Sequence, residues 1–589
     1  MQAVLDGRDS LLVLPTGGGK SLCYQAPAVL RADTTVVVSP LIALMKDQVD
    51  SLRACGVAAT QLDSSQAPQE RDAIEQDLLR GAVRLLFVSP ERLMTTGFQR
   101  LLARLRVPTF AIDEAHCISH WGHDFRPEYR QLRQLKQLFP DASMHGYTAT
   151  ATERVRRDIV EQLGLHQPDV IVGSFDRPNL TYRVLSRRDP SRQISQVLDR
   201  HRDEAGIIYC IRRRDVDELA ADLHKRGYKA MPYHAGMSAE MRKATQEAFT
   251  SGACDIVVAT IAFGMGIDRS NIRFVLHTAM PKSVEHYQQE TGRAGRDGLE
   301  AECVLLHSGA DYLSWKSIIT KSAAESGVDP AFLPSALKHL EDMDRYCRGA
   351  VCRHQALVQY FGQTYEDGSC AACDLCLDDV QQVADAPIVA QKILSCVARM
   401  QERFGIGQVV NVLHGDLSDS IRQRGHDKLS TFGLLGEHSK RDIRDWIYQL
   451  IGQKVLLQEG DEYPVLRLNP ASWEVLRGQR TVRLLQPVRR KKVKESRGQV
   501  VSWEGVDRDL FESLRTLRSR LAKERGVPPY IIFGDATLRE LARRRPTSLE
   551  GMRQTHGVGD VKLQDYGSQF LQVIREYIGR CDGKTTRPP

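Results

Sequence analysis

An α/β protein made of two tandem parallel-sheet lobes, followed by smaller and mostly helical domains, is what this sequence predicts. Three observations carry that expectation. Short, β-branched, almost wholly apolar runs alternate with helical patterns, the mark of strands covered on both faces. The alternation proceeds to about residue 175 and then starts again. From about Ser308 onward helical periodicity takes over, interrupted by a cysteine cluster near Cys370.

In the first lobe the expected strands are Ser10–Pro15, Thr34–Ser39, Val83–Ser89 and Pro108–Glu114. In the second they are Gly206–Cys210, Asp255–Thr260 and Ile272–His277, and Ser174–Tyr182 has the proline and polar residues of a connector. Small helices and a hairpin, Lys454–Leu468, are expected between 385 and 485. The charged run Arg489–Lys494 reads as a linker, and leucine spacing makes the last segment helical.

At roughly 100–200 residues per domain, 589 residues suggest three to five domains. A 42% hydrophobic and 26% charged composition excludes a mostly disordered or collagen-like chain. No stretch approaches a membrane span, and the N-terminus lacks a signal peptide's basic start and apolar core, so a cytoplasmic protein is expected. The net charge of +7 permits a nucleic-acid partner without requiring one. Thirteen cysteines without a secretory signal argue against a disulfide framework.

The strand at Ser10 runs into Thr16-Gly17-Gly18-Gly19-Lys20-Ser21 and then a helix. Glycines let backbone N–H groups converge on a phosphate, and the helix N-terminus adds partial positive charge. Lys20 would reach the β/γ-phosphates and Ser21 would hold Mg²⁺. Leu14 stands where the general phosphate-loop pattern has its first glycine, so a plain glycine-rich turn is the competing reading. The strand at Thr109 ends in Asp113-Glu114-Ala115-His116, placing acids at the sheet edge where ligands bind. Asp113 would coordinate Mg²⁺ and Glu114 orient the attacking water, although acidic pairs more often sit on solvated surfaces. Gln289-Glu290-Thr291-Gly292-Arg293-Ala294-Gly295-Arg296 offers two arginines that could reach a γ-phosphate across an interlobe cleft. Alone they could equally be surface arginines.

The segment between Asp113 and Tyr129 is dense in His, Trp, Phe and Arg. Trp121, Phe125, Arg126 and Tyr129 are the candidates to stack on or pair with unpaired bases. Gly122, Asp124 and Pro127 break any regular period, which favours a loop over a buried aromatic core. Cys370, Cys373 and Cys376 stand at two-residue intervals, with Cys352 upstream. Four thiolates suit closed, tetrahedral Zn²⁺, an iron–sulfur cluster could use the same ligands, and Cys347 competes for the fourth position.

Together these segments resemble the RecQ family of DNA helicases over nearly the whole chain. The resemblance rests on Leu14–Gln25, Ser39–Val49, Phe87–Leu93, Asp113–Arg130, Tyr147–Thr152, Tyr233–Met237, Val258–His277 and Tyr287–Gly298. It implies two RecA-like lobes (1–175 and 176–310), a helical zinc-binding subdomain (311–384), a winged helix (385–485), a basic linker (486–502), an HRDC domain (503–580) and a tail (581–589). It implies ATP, Mg²⁺ and Zn²⁺ as cofactors and 3′→5′ unwinding of single-stranded and forked DNA in recombination and repair. Single-strand-binding protein and a topoisomerase are the partners it suggests, with residence near the bacterial nucleoid.

By the same resemblance Arg296 is the arginine finger with Arg293 beside it, and His116 joins the catalytic group. Gln289, Gly266 and Asp268 contact or sense nucleotide, and Cys352–Gly362 favours Cys352 as the fourth zinc ligand. Tyr463, near the hairpin tip, is a candidate strand-separating wedge, though a merely packed or exposed Tyr fits as well. The family's usual N-terminal segment with an adenine-reading Gln is not matched by the nine residues before the first strand, so the expectation is either a truncated start or weakened nucleotide selection. An RNA helicase and an ATPase-impaired DNA-binding scaffold are the alternatives; nucleic-acid-stimulated turnover separates all three.

Overall fold

The computed structural model describes residues 1–584 apart from 32, 64–65, 106, 265–268, 327–331, 350, 367–368, 378–379, 460–464, 488–502, 526 and 528. Gly266, Asp268, Tyr463 and the linker Arg489–Lys494 lie outside the described residues.

Lobe one contains β1 (Ser10–Val13), β2 (Thr35–Val38), β3 (Ala59–Leu62), β4 (Leu85–Val88), β5 (Thr109–Ile112), β6 (Ser143–Thr148) and β7 (Asp169–Val172). They form one parallel sheet in the order β3-β4-β2-β5-β6-β1-β7. The central strands are buried at every residue, as near-continuous apolar runs must be when helices cover both faces. This order matters for the chemistry. β5, β6 and β1, far apart in sequence, become neighbours, so the segments leaving their carboxyl ends share one sheet edge.

Lobe two repeats the plan with β8 (Leu180–Ser186), β9 (Ala205–Tyr209), β10 (Ala230–Tyr233), β11 (Ile256–Ala259), β12 (Ile272–His277) and β13 (Ala301–His307). Their order is β10-β11-β9-β12-β13-β8, again all parallel. The last three residues of the expected connector therefore open edge strand β8, which is paired along its whole length with β13.

One apolar core runs from lobe one (Leu11, Phe110) through Phe175 into lobe two (Tyr209, Val275) and on to Leu340 and Phe361 of the helical platform. The platform's cysteine knuckle continues the edge of sheet two: Tyr182 N–H donates to Ala372 at 3.0 Å, and Asp374 N–H to Tyr182 at 2.9 Å. Its buried Arg353 donates twice to buried Asp374, at 2.9 and 3.0 Å.

The next domain encloses its own core around Trp446. β14 (Val380–Gln382) pairs with β17 (Leu485–Pro487), so this domain closes a few residues beyond each expected boundary. Between them β15 (Leu456–Glu459) and β16 (Val465–Leu468) form the antiparallel hairpin expected at Lys454–Leu468. Ser186 donates to Asp445 at 2.7 Å and Arg188 to Asp442 at 2.7 Å, joining the domain to lobe two.

The last domain packs helices around Phe533 and Phe570 and also seats on lobe two. Arg539, stacked over Trp503 at 4.0 Å, donates to both oxygens of Glu300 at 2.7 and 2.8 Å, and both residues are buried. No described helix is long and apolar enough to cross a membrane.

Candidate active site and nucleic-acid interface

The loop after β1 turns through Gly17 and Gly19, at φ +83° and +79°, a backbone region an L-residue rarely adopts. It delivers Lys20 and Ser21 to the start of the helix Leu22–Leu30. They face a cavity of about 410 Å³ between the lobes, lined also by Asp113, Glu114, Gln289, Arg293 and Arg296. Thus the loop after β1, the acids after β5 and the arginines of lobe two converge on one space. Lys20 Nζ donates to the Leu14 carbonyl at 3.1 Å, and burial lowers its pKa against the upward pull of Glu114 and Asp113.

Asp113 and Glu114 differ in environment although adjacent. Burial first, then the charge of Glu114, pushes the Asp113 carboxyl up to about 7. Burial would raise Glu114 too, but His116, whose Nδ1 lies 3.3 Å from Glu114 Oε2, together with Lys20 holds it down to about 2. Glu114 stands at φ +48°, a strained conformation that turns its side chain toward the cavity edge. His116 Nδ1 also lies 2.9 Å from Thr148 Oγ1 at the end of β6, and Gln289 of lobe two donates to Thr150 Oγ1 at 3.3 Å. A short chain of polar contacts thereby links the acids, the end of β6 and lobe two.

Arg293 and Arg296 have different surroundings. Arg293 donates to the Gly264 carbonyl of its own lobe. The Arg296 side chain crosses to lobe one, its Cγ 3.3 Å from where a Cβ on Gly17 would lie. Gly292 approaches Thr16 as closely: a Cβ on Gly292 would lie only 3.0 Å from the Thr16 Cβ, so the cleft is closed to van der Waals contact at this point.

The aromatic segment is a loop of short turns, as its broken periodicity predicts. Trp121 is 38% exposed, with the Arg154 guanidinium 3.2 Å from its ring centroid. Phe125 is half-buried and stacked on His120 at 4.0 Å, and Arg126 donates to the Pro40 carbonyl at 3.1 Å. Tyr129 corrects the sequence expectation. It is fully buried and its hydroxyl donates to the Asp113 carbonyl at 3.0 Å, so it braces the acidic turn and offers no face to a base.

The Sγ atoms of Cys352, Cys370, Cys373 and Cys376 all lie within 4.8 Å of one another, a donor set and spacing that fit one Zn²⁺. Cys347, the competing ligand, is instead buried in the platform core.

Sequence reasoning did not find three polar groups at the cleft and the aromatic loop. Gln48 donates to Ser21 Oγ at 3.2 Å and accepts from Gln25 at 2.6 Å. His339 of the platform pairs with the Trp121 carbonyl at 3.1 Å. Arg177 bonds the Thr16 carbonyl at 3.2 Å. Gln48 lies within Ser39–Val49, a segment that carries the family resemblance, and Arg177 within the expected connector, but neither has a residue spacing that announces its partner.

A phosphate loop, an acidic pair and an arginine from a second parallel-sheet lobe define the class. Residues 1–159 match the DEAD/DEAH box helicase family, and residues 190–298 match the helicase conserved C-terminal domain. Residues 309–377 match the RecQ zinc-binding domain, 381–493 the RQC domain and 507–574 the HRDC domain. The chain is 42% identical over 578 residues to the ATP-dependent DNA helicase RecQ of Pasteurella multocida, covering 98% of this chain and 90% of that protein. It is 39% identical over 576 residues to its Bacillus subtilis counterpart, covering 98% and 94%. The chain belongs to the RecQ family of ATP-dependent DNA helicases, with ATP, Mg²⁺ and Zn²⁺ as cofactors.

Proposed function

We propose that this chain moves 3′→5′ along single-stranded DNA and opens forked duplexes in recombination and repair, with the two lobes dividing the work on ATP. In this reading Lys20 and the loop amides of Thr16–Gly19 hold the phosphates. Ser21 and Asp113 hold Mg²⁺, which screens phosphate charge. Glu114, kept ionised beside His116, orients the attacking water. Arg296 stabilises charge on the transferred phosphoryl group from the opposite lobe, and Arg293 keeps the loop that carries it against Gly264. Trp121, Phe125 and Arg126 face the DNA strand, one turn from Glu114, so strand occupancy and water positioning share one loop.

The observation that carries this reading is the passage of Arg296 across the cleft onto Gly17. The test is steady-state ATP hydrolysis alone, with single-stranded DNA and with single-stranded RNA, using Glu114→Gln as the blank. Stimulation by DNA, with at least a hundredfold loss in Glu114→Gln and in Arg296→Ala, is expected. Equal stimulation by RNA would overturn the substrate assignment, and normal turnover in Arg296→Ala would overturn the finger. Unwinding of duplexes with 3′ but not 5′ overhangs tests the direction. Fluorescence anisotropy with labelled single strands should show Trp121→Ala weakened several-fold and Tyr129→Phe unchanged.

A further inference from the structure

We propose that Arg177 is the positioning residue that sets the arginine finger against the phosphate loop, an inference that rests on the reading of Arg296 above. Arg177 lies in the segment joining the lobes, and its guanidinium divides its donors between them. Nη1 donates to the Thr16 carbonyl of lobe one at 3.2 Å. Nη2 donates to Ala294 at 3.1 Å and to Gly295 at 3.0 Å, the two carbonyls immediately before Arg296. Nε donates to Asn179 Oδ1 at 3.3 Å, and Asn179 in turn donates to Gly295 at 2.9 Å and to Leu299 at 2.8 Å.

A planar fork with fixed N–H directions suits this task, since it holds two acceptor groups at one separation. Its acceptors are the residue that opens the phosphate loop and the turn that carries the finger. The turn depends on this support: Gly295 sits at φ +58°, and a Cβ there would lie 2.5 Å from Asn179 Nδ2. The segment carrying Arg177 is itself fixed, with Phe175 stacked on Phe361 at 4.3 Å and Asp176 paired with His354 at 2.6 Å. The lobes cannot separate at the phosphate loop without breaking the Nη1 bond to Thr16 or pulling Nη2 from the finger turn. Arg177 therefore defines the closed geometry in which Arg296 meets the γ-phosphate, and it has no part in holding the nucleotide itself.

The experiment measures DNA-stimulated ATP hydrolysis and, separately, binding of a fluorescent non-hydrolysable ATP analogue, for Arg177→Ala, Arg177→Lys, Arg296→Ala and the Arg177→Ala/Arg296→Ala pair. Arg177→Ala is expected to lower kcat by ten- to a hundredfold while analogue affinity changes less than threefold. Arg177→Lys keeps the charge but loses the fork, so it should fail to restore kcat. The double variant should lose no more than Arg296→Ala alone, because both act through one group. Full rescue by lysine would mean that charge, not geometry, is the contribution, and would overturn the inference. So would an unchanged kcat in Arg177→Ala while Arg296→Ala is inactive, an outcome that leaves the finger intact. Normal turnover in Arg296→Ala would instead remove the reading on which the inference rests. If Arg177→Ala does not fold, Asn179→Ala removes part of the same support from the lobe-two side and should show a milder kcat loss with unchanged analogue binding; no loss there overturns the inference as well.

Discussion

His201 sits between two carboxylates of lobe two, Nδ1 2.7 Å from Glu204 and Nε2 2.9 Å from Glu302. Burial alone would lower its pKa, but the two carboxylates reverse that and raise it to about 9. A group whose folded pKa is raised contributes stability fully below its unfolded value of 6.5 and loses it as pH rises through about 9. The contribution is bounded at about 3 kcal/mol. The melting temperature should therefore fall more steeply across this range in the parent than in His201→Gln; parallel slopes would count against it. Arg353 makes the sharper case, because its removal leaves Asp374 charged and buried. Arg353→Ala should cost about 3–5 kcal/mol by denaturant unfolding, and Arg353→Met with Asp374→Leu should recover part of that. At this scale the sequence was legible in its groupings: Lys20, Glu114 and Arg296, expected to serve one site, line one cavity. It was misleading at Tyr129, since aromatic density says nothing about which ring turns inward. It was silent at Arg177, whose interlobe partners are carbonyl oxygens and so leave no imprint on neighbouring residue types.

The elements show why some strands were legible and others were not. All seven runs expected as strands are strands, because each is buried on both faces and had to be written in apolar residues. β7 escaped notice because it is an edge strand with Val170 and Ile171 about half exposed. β10 carries a proline, β3 a glutamine, and β6 overlaps a segment read for its chemistry. The zinc knuckle was legible in its ligands and illegible in its seat, the edge of β8. Removing the metal with a chelator should release the Ala372–Asp374 segment, so the amides of Tyr182 and Asp374 should exchange hydrogen much faster while affinity for an ATP analogue persists. Unchanged exchange at both amides would mean that the knuckle holds its shape without zinc.

Across the whole molecule, the order of domains was written in motifs, while their docking depends on single residues far apart in sequence. Arg539 and Glu300 are such a pair. Arg539→Ala should loosen the last domain from lobe two, seen as a larger radius of gyration in small-angle scattering with the domain's own melting little changed. A radius equal to the parent's would show that the remaining contacts, such as Arg515 with the Asp203 carbonyl, suffice.

Glu300 answers to two partners at once. Its carboxylate receives Arg539, while its backbone carbonyl receives Arg273 at 2.9 Å, and Arg273 also grips Asp297, the residue after Arg296. This bears on how such chains can be shuffled. A last domain taken from another protein, lacking an arginine where Arg539 stands, would leave the Glu300 carboxylate without its ion-pair partner and weaken the seat on lobe two. The loss falls at the residue whose carbonyl also holds Arg273, so the two domains must be exchanged, or inherited, together.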